Sequence, residues 1–166
     1  MSNKHPISLN DIQEAAKRLK GIIRPTVMLN AGWLERQIGS PVSLKPENLQ
    51  RAGSFKIRGA YNLMSQLSDA DRKKGVIAAS AGNHAQGVAL AAQLLGIKST
   101  VYMPVGASIT KVMATKGYGA DVKFIGDRLD VAIAAAKEAS EQNGSIFISP
   151  FDHAHIVAGQ GTVGLE

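Results

Sequence analysis

The chain has 166 residues, of which 45% are hydrophobic and 19% charged, with no cysteine and a formal charge of 19 − 13 = +6. That length and apolar content suit one domain, or one domain with part of another, and argue against disorder; the absence of cysteine excludes disulfides, thiolate metal sites and a cysteine nucleophile, and fits a cytoplasmic protein. Lys and Arg are scattered, aromatics make up only 5%, no stretch approaches the ~20 apolar residues of a membrane span, and no apolar run follows Met1-Ser2-Asn3-Lys4-His5-Pro6, so nucleic acid, membrane and signal peptide are not expected.

In chain order, Ser8 to Lys20 reads as a helix, capped by Ser8 with Asp11 three residues on, and with Ile12, Ala15, Ala16 and Leu19 on one face. Arg24-Pro25-Thr26 interrupts the chain, a short helix is expected near Trp33 to Arg36, and Gly39-Ser40-Pro41 closes it. Val42 to Lys45 alternates like a strand that Pro46 stops. Ser54 opens a helix with Ile57, Ala60, Tyr61, Met64 and Leu67 on its inner face. The basic run Arg72-Lys73-Lys74 ends a helix whose dipole it complements. Val76 to Ala79 is wholly apolar, as in a strand buried on both faces. Further helices are expected around Ala85 to Leu95, from Ser108 to Lys116 and from Asp127 through Ala136, and further strands over Ser99 to Met103, Asp121 to Ile125 and Ser145 to Ile148. This alternation from about residue 75 to 149 predicts an α/β fold, a parallel sheet with helices on both faces. Residues 158 to 166 read as the start of a helix that ends without a cap, so the expectation is a truncated chain.

Two loops carry the candidate chemistry. In Gly53-Ser54-Phe55-Lys56-Ile57-Arg58-Gly59, a lysine sits at the start of a helix. Partial desolvation, the helix dipole and the nearby Arg58 would all favour its neutral amine, which can form a Schiff base. Gly53 and Gly59 would permit close approach of backbone and cofactor. A lone lysine at a helix start is otherwise a solvated surface residue. In Ser80-Ala81-Gly82-Asn83-His84-Ala85-Gln86-Gly87, a strand-to-helix turn offers backbone N–H groups and the Ser80 hydroxyl to an anion; the plainer reading is a turn with Asn83 as helix cap. His84 suits orientation of the loop or anion binding better than proton transfer. His5 falls in the N-terminal segment, and His153 and His155 lack a third ligand nearby, so no metal is expected. A Ser-His-Asp triad has no supporting nucleophile elbow. Two readings stay open on residues alone: a Schiff-base enzyme, or a small non-catalytic α/β module binding an anion or nucleotide.

The two motifs in order, with Lys45-Pro46-Glu47-Asn48-Leu49-Gln50, Met103-Pro104 and Ala158-Gly159-Gln160-Gly161-Thr162 to Glu166, resemble the serine/threonine dehydratase family of pyridoxal-phosphate enzymes, nearest its threonine ammonia-lyases and in particular their catabolic form. The resemblance implies fold type II, the tryptophan synthase β-like fold. Residues 1–49 would belong to the larger domain, 50–150 would form the smaller α/β domain, and 151–166 would begin the rest of the larger one. It implies that Lys56 is the catalytic Schiff-base lysine and the base for the α-proton, and that Phe55 lies against the cofactor. Asn83 would bond the ring oxygen, while Ser80, Gly82, Asn83 and His84 receive the substrate carboxylate.

The implied reaction is dehydration and deamination of L-threonine to 2-oxobutanoate, or of L-serine to pyruvate, with release of ammonia, in threonine catabolism or isoleucine biosynthesis. A homo-oligomer, dimer or tetramer, and a nucleotide effector are implied in the same way. Serine racemases of the family carry a serine where this chain has Ala81, which favours elimination, with racemisation or hydroxyaspartate dehydration as alternatives. Cysteine synthases of the wider group usually show a threonine in place of His84. Two departures are Arg24-Pro25-Thr26, in place of an early Thr-Pro, and Asp152-His153, where a proline is common; the major one is the end at Glu166. The family's glycine-rich phosphate loop and the residue facing the pyridine nitrogen would lie beyond Glu166, so the 166-residue chain alone is expected to show little activity.

Overall fold

A computed structural model describes residues 7–166; His5 lies outside the described residues. Ser8 opens helix α1 (Leu9–Leu19) as its sequence dictates. The Ser8 hydroxyl accepts from the Asp11 N–H while Asp11 Oδ2 accepts from the Ser8 N–H at 2.8 Å, closing a capping box. Ala15 and Leu19, four residues apart on one face, are fully buried. The expected strand near residue 43 exists as β2 (Ser43–Leu44), and it pairs antiparallel with β1 (Leu29–Asn30), which the sequence did not announce. Helix α2 (Gly32–Ile38) lies between them and ends at Gly39, whose left-handed backbone suits glycine.

Helix α3 (Lys56–Met64) starts two residues later than expected: Ser54 stays extended, and its hydroxyl accepts from the Lys56 N–H at 3.3 Å. The expected continuation to Leu67 breaks after Met64. The Arg72 guanidinium takes the Ser65 and Leu67 carbonyls at 2.6 and 3.1 Å, and Ser68 caps a separate helix α4 (Asp69–Lys74). The alternation that follows is regular: β3 (Val76–Ala79), α5 (Asn83–Leu95), β4 (Ser99–Met103), α6 (Ile109–Gly117), β5 (Asp121–Phe124), α7 (Leu129–Asn143), β6 (Ile146–Phe147) and α8 (Ala154–Gly161). Gly82, not Asn83, occupies the cap of α5; the helix expected from Asp127 starts at Leu129 with Arg128 at its cap; and Ser108 occupies the cap of α6, without a side-chain hydrogen bond. Helix α8 begins at Ala154, four residues before the expected start, because the His153 ring accepts from the His155 N–H and caps it.

The four parallel strands run in the order β5-β4-β3-β6. Side chains alternate along β3. Val76 and Ala78 join a core with Ile57, Met64 and Val88 on the α3 and α5 side, while Ile77 and Ala79 join Ala132 and Ala136 of α7 on the other. Along β4, Val101 and Met103 meet Ala85, Ala89 and Val112. Helices therefore cover both faces, and α3 packs on α5, with α8 and α1 stacked outside α3.

The α3–α8 crossing is unusually close because both helices present glycine. A Cβ on Gly159 would sit 2.6 Å from the Arg58 carbonyl oxygen and 2.7 Å from Gly59 Cα. Gly159→Ala is accordingly expected to destabilise by about 1–3 kcal/mol, since neither backbone can yield. Urea unfolding of wild type and variant checks this.

Candidate active site

The strand order decides where a ligand would bind. From β3 the chain moves to β4 and β5 on one side and returns to β6 on the other, so the carboxyl ends of β3 and β6 flank a topological switch point, where open α/β sheets place ligands. The Ser80 loop leaves β3 there, and the 148–150 segment leaves β6.

Both candidate side chains dock on that second segment. Lys56, the first residue of α3, is half-buried and its Nζ donates to the Pro150 carbonyl at 2.9 Å. His84 Nε2 lies 3.0 Å from the Ile148 carbonyl. A carbonyl only accepts, so His84 carries its proton on Nε2 and leaves Nδ1 as a buried acceptor with no partner among the described residues. Burial pushes the Lys56 amine below its ordinary 10.5, toward the neutral form that is nucleophilic and basic. The Phe55 ring is 39% exposed, and Lys56 Nζ stands 5.3 Å from its centroid, so an aromatic face adjoins the amine.

Opposite stands the N-terminus of α5, a helix of 13 residues with no side-chain cap. Its first N–H groups, from Asn83 onward, point out of the helix start without an intrahelical acceptor. The Ser80 hydroxyl accepts from the Gly82 N–H at 3.1 Å, which folds the loop back on itself. Asn83 is exposed at the first helical position. Lys111 of α6 was not expected here, yet a Cβ added at Gly82 would lie 3.6 Å from its Nζ. A positive helix end beside an ammonium favours an anion.

Gly87, which closes the loop motif, brings α5 against Lys56: a Cβ there would meet the Lys56 carbonyl carbon at 3.0 Å and Lys56 Cβ at 3.1 Å. The remaining glycines act elsewhere than expected. Gly59 faces Gln160 and Ile156 of α8 rather than the crevice, and Gly53 has open space with φ +67°.

Arg58 is likewise not a charge partner of Lys56. Its guanidinium is fully buried between Glu47 and Glu166, both carboxylates contacted through two nitrogens, and Lys45 pairs with Glu166 at 2.8 Å. Arg58 and Lys45 thus balance Glu47 and Glu166, and burial alone shifts Lys56. The Glu166 carboxyl is held at about 2, its burial outweighed by hydrogen bonds from Arg58 and Lys45. The Lys45-to-Gln50 motif therefore has a structural meaning that spacing did not reveal. Glu47 also accepts from Thr26 at 2.7 Å, and Gln50 bonds both backbone groups of Arg24, tying the 24–26 segment to α3. His153 and His155 have ring centroids 5.4 Å apart, and among the described residues no third metal-ligating side chain joins them.

Burial, with the nearby Lys56 charge, depresses the His84 pKa to about 4. An unfolded chain therefore binds more protons than the folded one between pH 6.5 and 4. The stabilising contribution of neutral His84 is complete above pH 6.5 and is lost as pH falls toward 4, a change on the order of 3 kcal/mol. Chemical denaturation across that range should show the slope in wild type and a flatter one in His84→Gln.

The residues present fit pyridoxal phosphate: a desolvated lysine amine, an aromatic face beside it and an uncapped helix N-terminus at one crevice. Comparison with known proteins agrees. A model of the family described as pyridoxal-phosphate dependent enzymes matches residues 19–166. The chain is 49% identical over 160 residues to an L-threonine ammonia-lyase of Thermotoga maritima, covering 96% of this chain and 40% of that relative. It is 49% identical over 161 residues to the catabolic L-threonine dehydratase TdcB of Escherichia coli K12, covering 97% and 49%. Among solved structures, maize serine racemase superposes with a TM-score of 0.90 at 34% identity, over 95% of this chain and 48% of that one. Threonine deaminase isoform 2 of Solanum lycopersicum superposes at 0.86 and 38%, over 95% and 45%. The chain spans about half the length of the curated relatives it matches. Among the described residues no helix is long and apolar enough to cross a membrane.

Proposed function

The chain belongs to the pyridoxal-phosphate-dependent enzyme family, and on that premise we propose that it carries the lysine-bearing part of a threonine ammonia-lyase, with Lys56 as the cofactor-binding and catalytic residue. The observation that carries the proposal is the half-buried Lys56 amine standing across the β3/β6 switch point from the uncapped N-terminus of α5. When bound, pyridoxal phosphate supplies an aldehyde for the lysine and an electron sink for charge left on the substrate α-carbon. The chain's own residues do the rest. Phe55 and Asn83 hold the ring. Ser80 and Gly82, with the N–H groups of Asn83 and His84 at the start of α5, would take the substrate carboxylate. Lys56 Nζ, shifted toward neutrality by burial, takes the α-proton. The Pro150 carbonyl holds the free amine in place for that transfer.

The α-proton and the β-hydroxyl would leave together as one water, and uptake of one water would then release ammonia and the 2-oxo acid. Elimination is favoured over racemisation because Ala81, within this loop, has no group that moves a proton. Residues 50–150 would form the smaller domain and the flanking segments parts of a larger one. A cytoplasmic homo-oligomer with a nucleotide effector completes the proposal, its location supported by the cysteine-free composition.

The test is to supply the holoenzyme with L-threonine and with L-serine and to measure 2-oxobutanoate, pyruvate and D-serine. The proposal predicts 2-oxo acids as the dominant products, with threonine preferred. D-serine as the main product would assign the site to racemisation instead.

A further inference from the structure

Arg58 lies two residues beyond Lys56 and is the largest fully buried side chain of the described residues. Residues two apart on an α-helix lie about 200° apart around its axis. The two side chains therefore leave the first turn of α3 in nearly opposite directions. Lys56 reaches the Pro150 carbonyl. Arg58 enters a pocket of fixed acceptors: Glu47 through Nε and Nη2, both at 2.8 Å, Glu166 through Nη1 and Nη2 at 2.6 and 3.2 Å, and the Thr162 hydroxyl at 3.1 Å. Those acceptors come from two separate places in the chain, the 47–49 turn and the segment after α8. Glu47 and Glu166 are themselves held, by Thr26 and by Lys45. On the other side of the turn, α5 abuts the Lys56 backbone at Gly87 with no room for a Cβ closer than 3.0 Å.

We infer that Arg58, gripped by Glu47 and Glu166, is a positioning residue for Lys56: the clamp fixes the rotation and height of the first turn of α3, and with α5 behind it this sets where the Lys56 amine stands. The inference rests on the assignment of Lys56 as the cofactor lysine. Because two cations face two carboxylates in the cluster, what it transmits to Lys56 is geometry rather than field. Arginine is required because its planar fork meets two carboxylates at once, whereas lysine keeps the charge and loses the fork.

The test uses Arg58→Lys in the holoenzyme, with two readouts beyond folding. The first is the rate at which pyridoxal phosphate labels Lys56 in the cofactor-stripped protein, trapped with borohydride and located by peptide mass. The second is the split between kcat and KM. The expected result is a folded variant in which Lys56 labelling slows by at least about tenfold and kcat falls by roughly 10- to 100-fold, as for a reacting group displaced by up to 1 Å, while KM changes little. Labelling and kcat equal to wild type, with only a lowered melting temperature, would overturn the inference and reduce the cluster to a stabilising one. If wild-type Lys56 itself resists labelling, the assignment of the lysine fails and the inference with it. If Arg58→Lys does not fold, Glu47→Gln, which leaves the Arg58–Glu166 pair, takes its place with the same two readouts and the same two outcomes.

Discussion

If Lys56 has the proposed roles, Lys56→Ala is expected to lower 2-oxo acid formation by about 10³-fold or more, because one substitution removes both the amine proposed to hold the cofactor and the proposed base for the α-proton. Stability should change little. The Lys56 side chain is half-buried and donates to the Pro150 carbonyl, while the backbone contacts of α3 with α5 remain. The visible absorbance of lysine-bound cofactor should disappear with the activity. Steady-state assay, absorbance and thermal melting on the same preparation separate this outcome from simple unfolding. Retention of turnover within tenfold of wild type would remove Lys56 from the mechanism.

The largest expected stability effect is at Arg58. Arg58→Leu leaves Glu47 and Glu166 facing each other, with Lys45 as the remaining cation of the cluster, and should destabilise by roughly 3–5 kcal/mol at pH 7, the cost of breaking a buried ion pair from one side. The pH dependence has a defined sign. In wild type the Glu166 carboxyl is held at about 2, below its ordinary 4.5, so its contribution is complete above pH 4.5 and is lost as pH falls toward 2. In the variant the two carboxylates protonate more readily. The gap between wild type and variant should therefore narrow below pH 4.5, and urea unfolding at pH 7 and pH 4 measures it. A gap of the same size at both values would locate the loss in packing of the arginine stem rather than in the charge cluster.

Sequence and structure agree where short-range rules act alone. Ser8 and Asp11 announced α1 because a capping box closes within one turn. The unbroken apolar run Val76 to Ala79 announced a strand covered on both faces, and it has one. The Ser80 loop follows the strand β3 directly, so strand–helix alternation alone puts it at the carboxyl end of the sheet. What the sequence did not reveal depends on partners far along the chain. Arg58 looked like a neighbour of Lys56 because it is near in sequence, yet its acceptors are 11 and 108 residues away. Gly59 looked like part of a cofactor cradle, yet the residue it makes room for is Gln160 of α8. Lys111 carried no local signal and stands by Gly82 only because α6 packs on α5. The two-residue strand β1 is held by pairing with β2, not by any periodicity of its own.

The central claim is that this chain singles out one lysine for pyridoxal phosphate. The most direct measurement is to expose the protein to stoichiometric cofactor, reduce with borohydride and locate the modified residue by peptide mass spectrometry. Modification confined to Lys56, although exposed lysines such as Lys17 and Lys74 are more accessible, is the predicted result. Label spread over those surface lysines, with Lys56 unmodified, would contradict it.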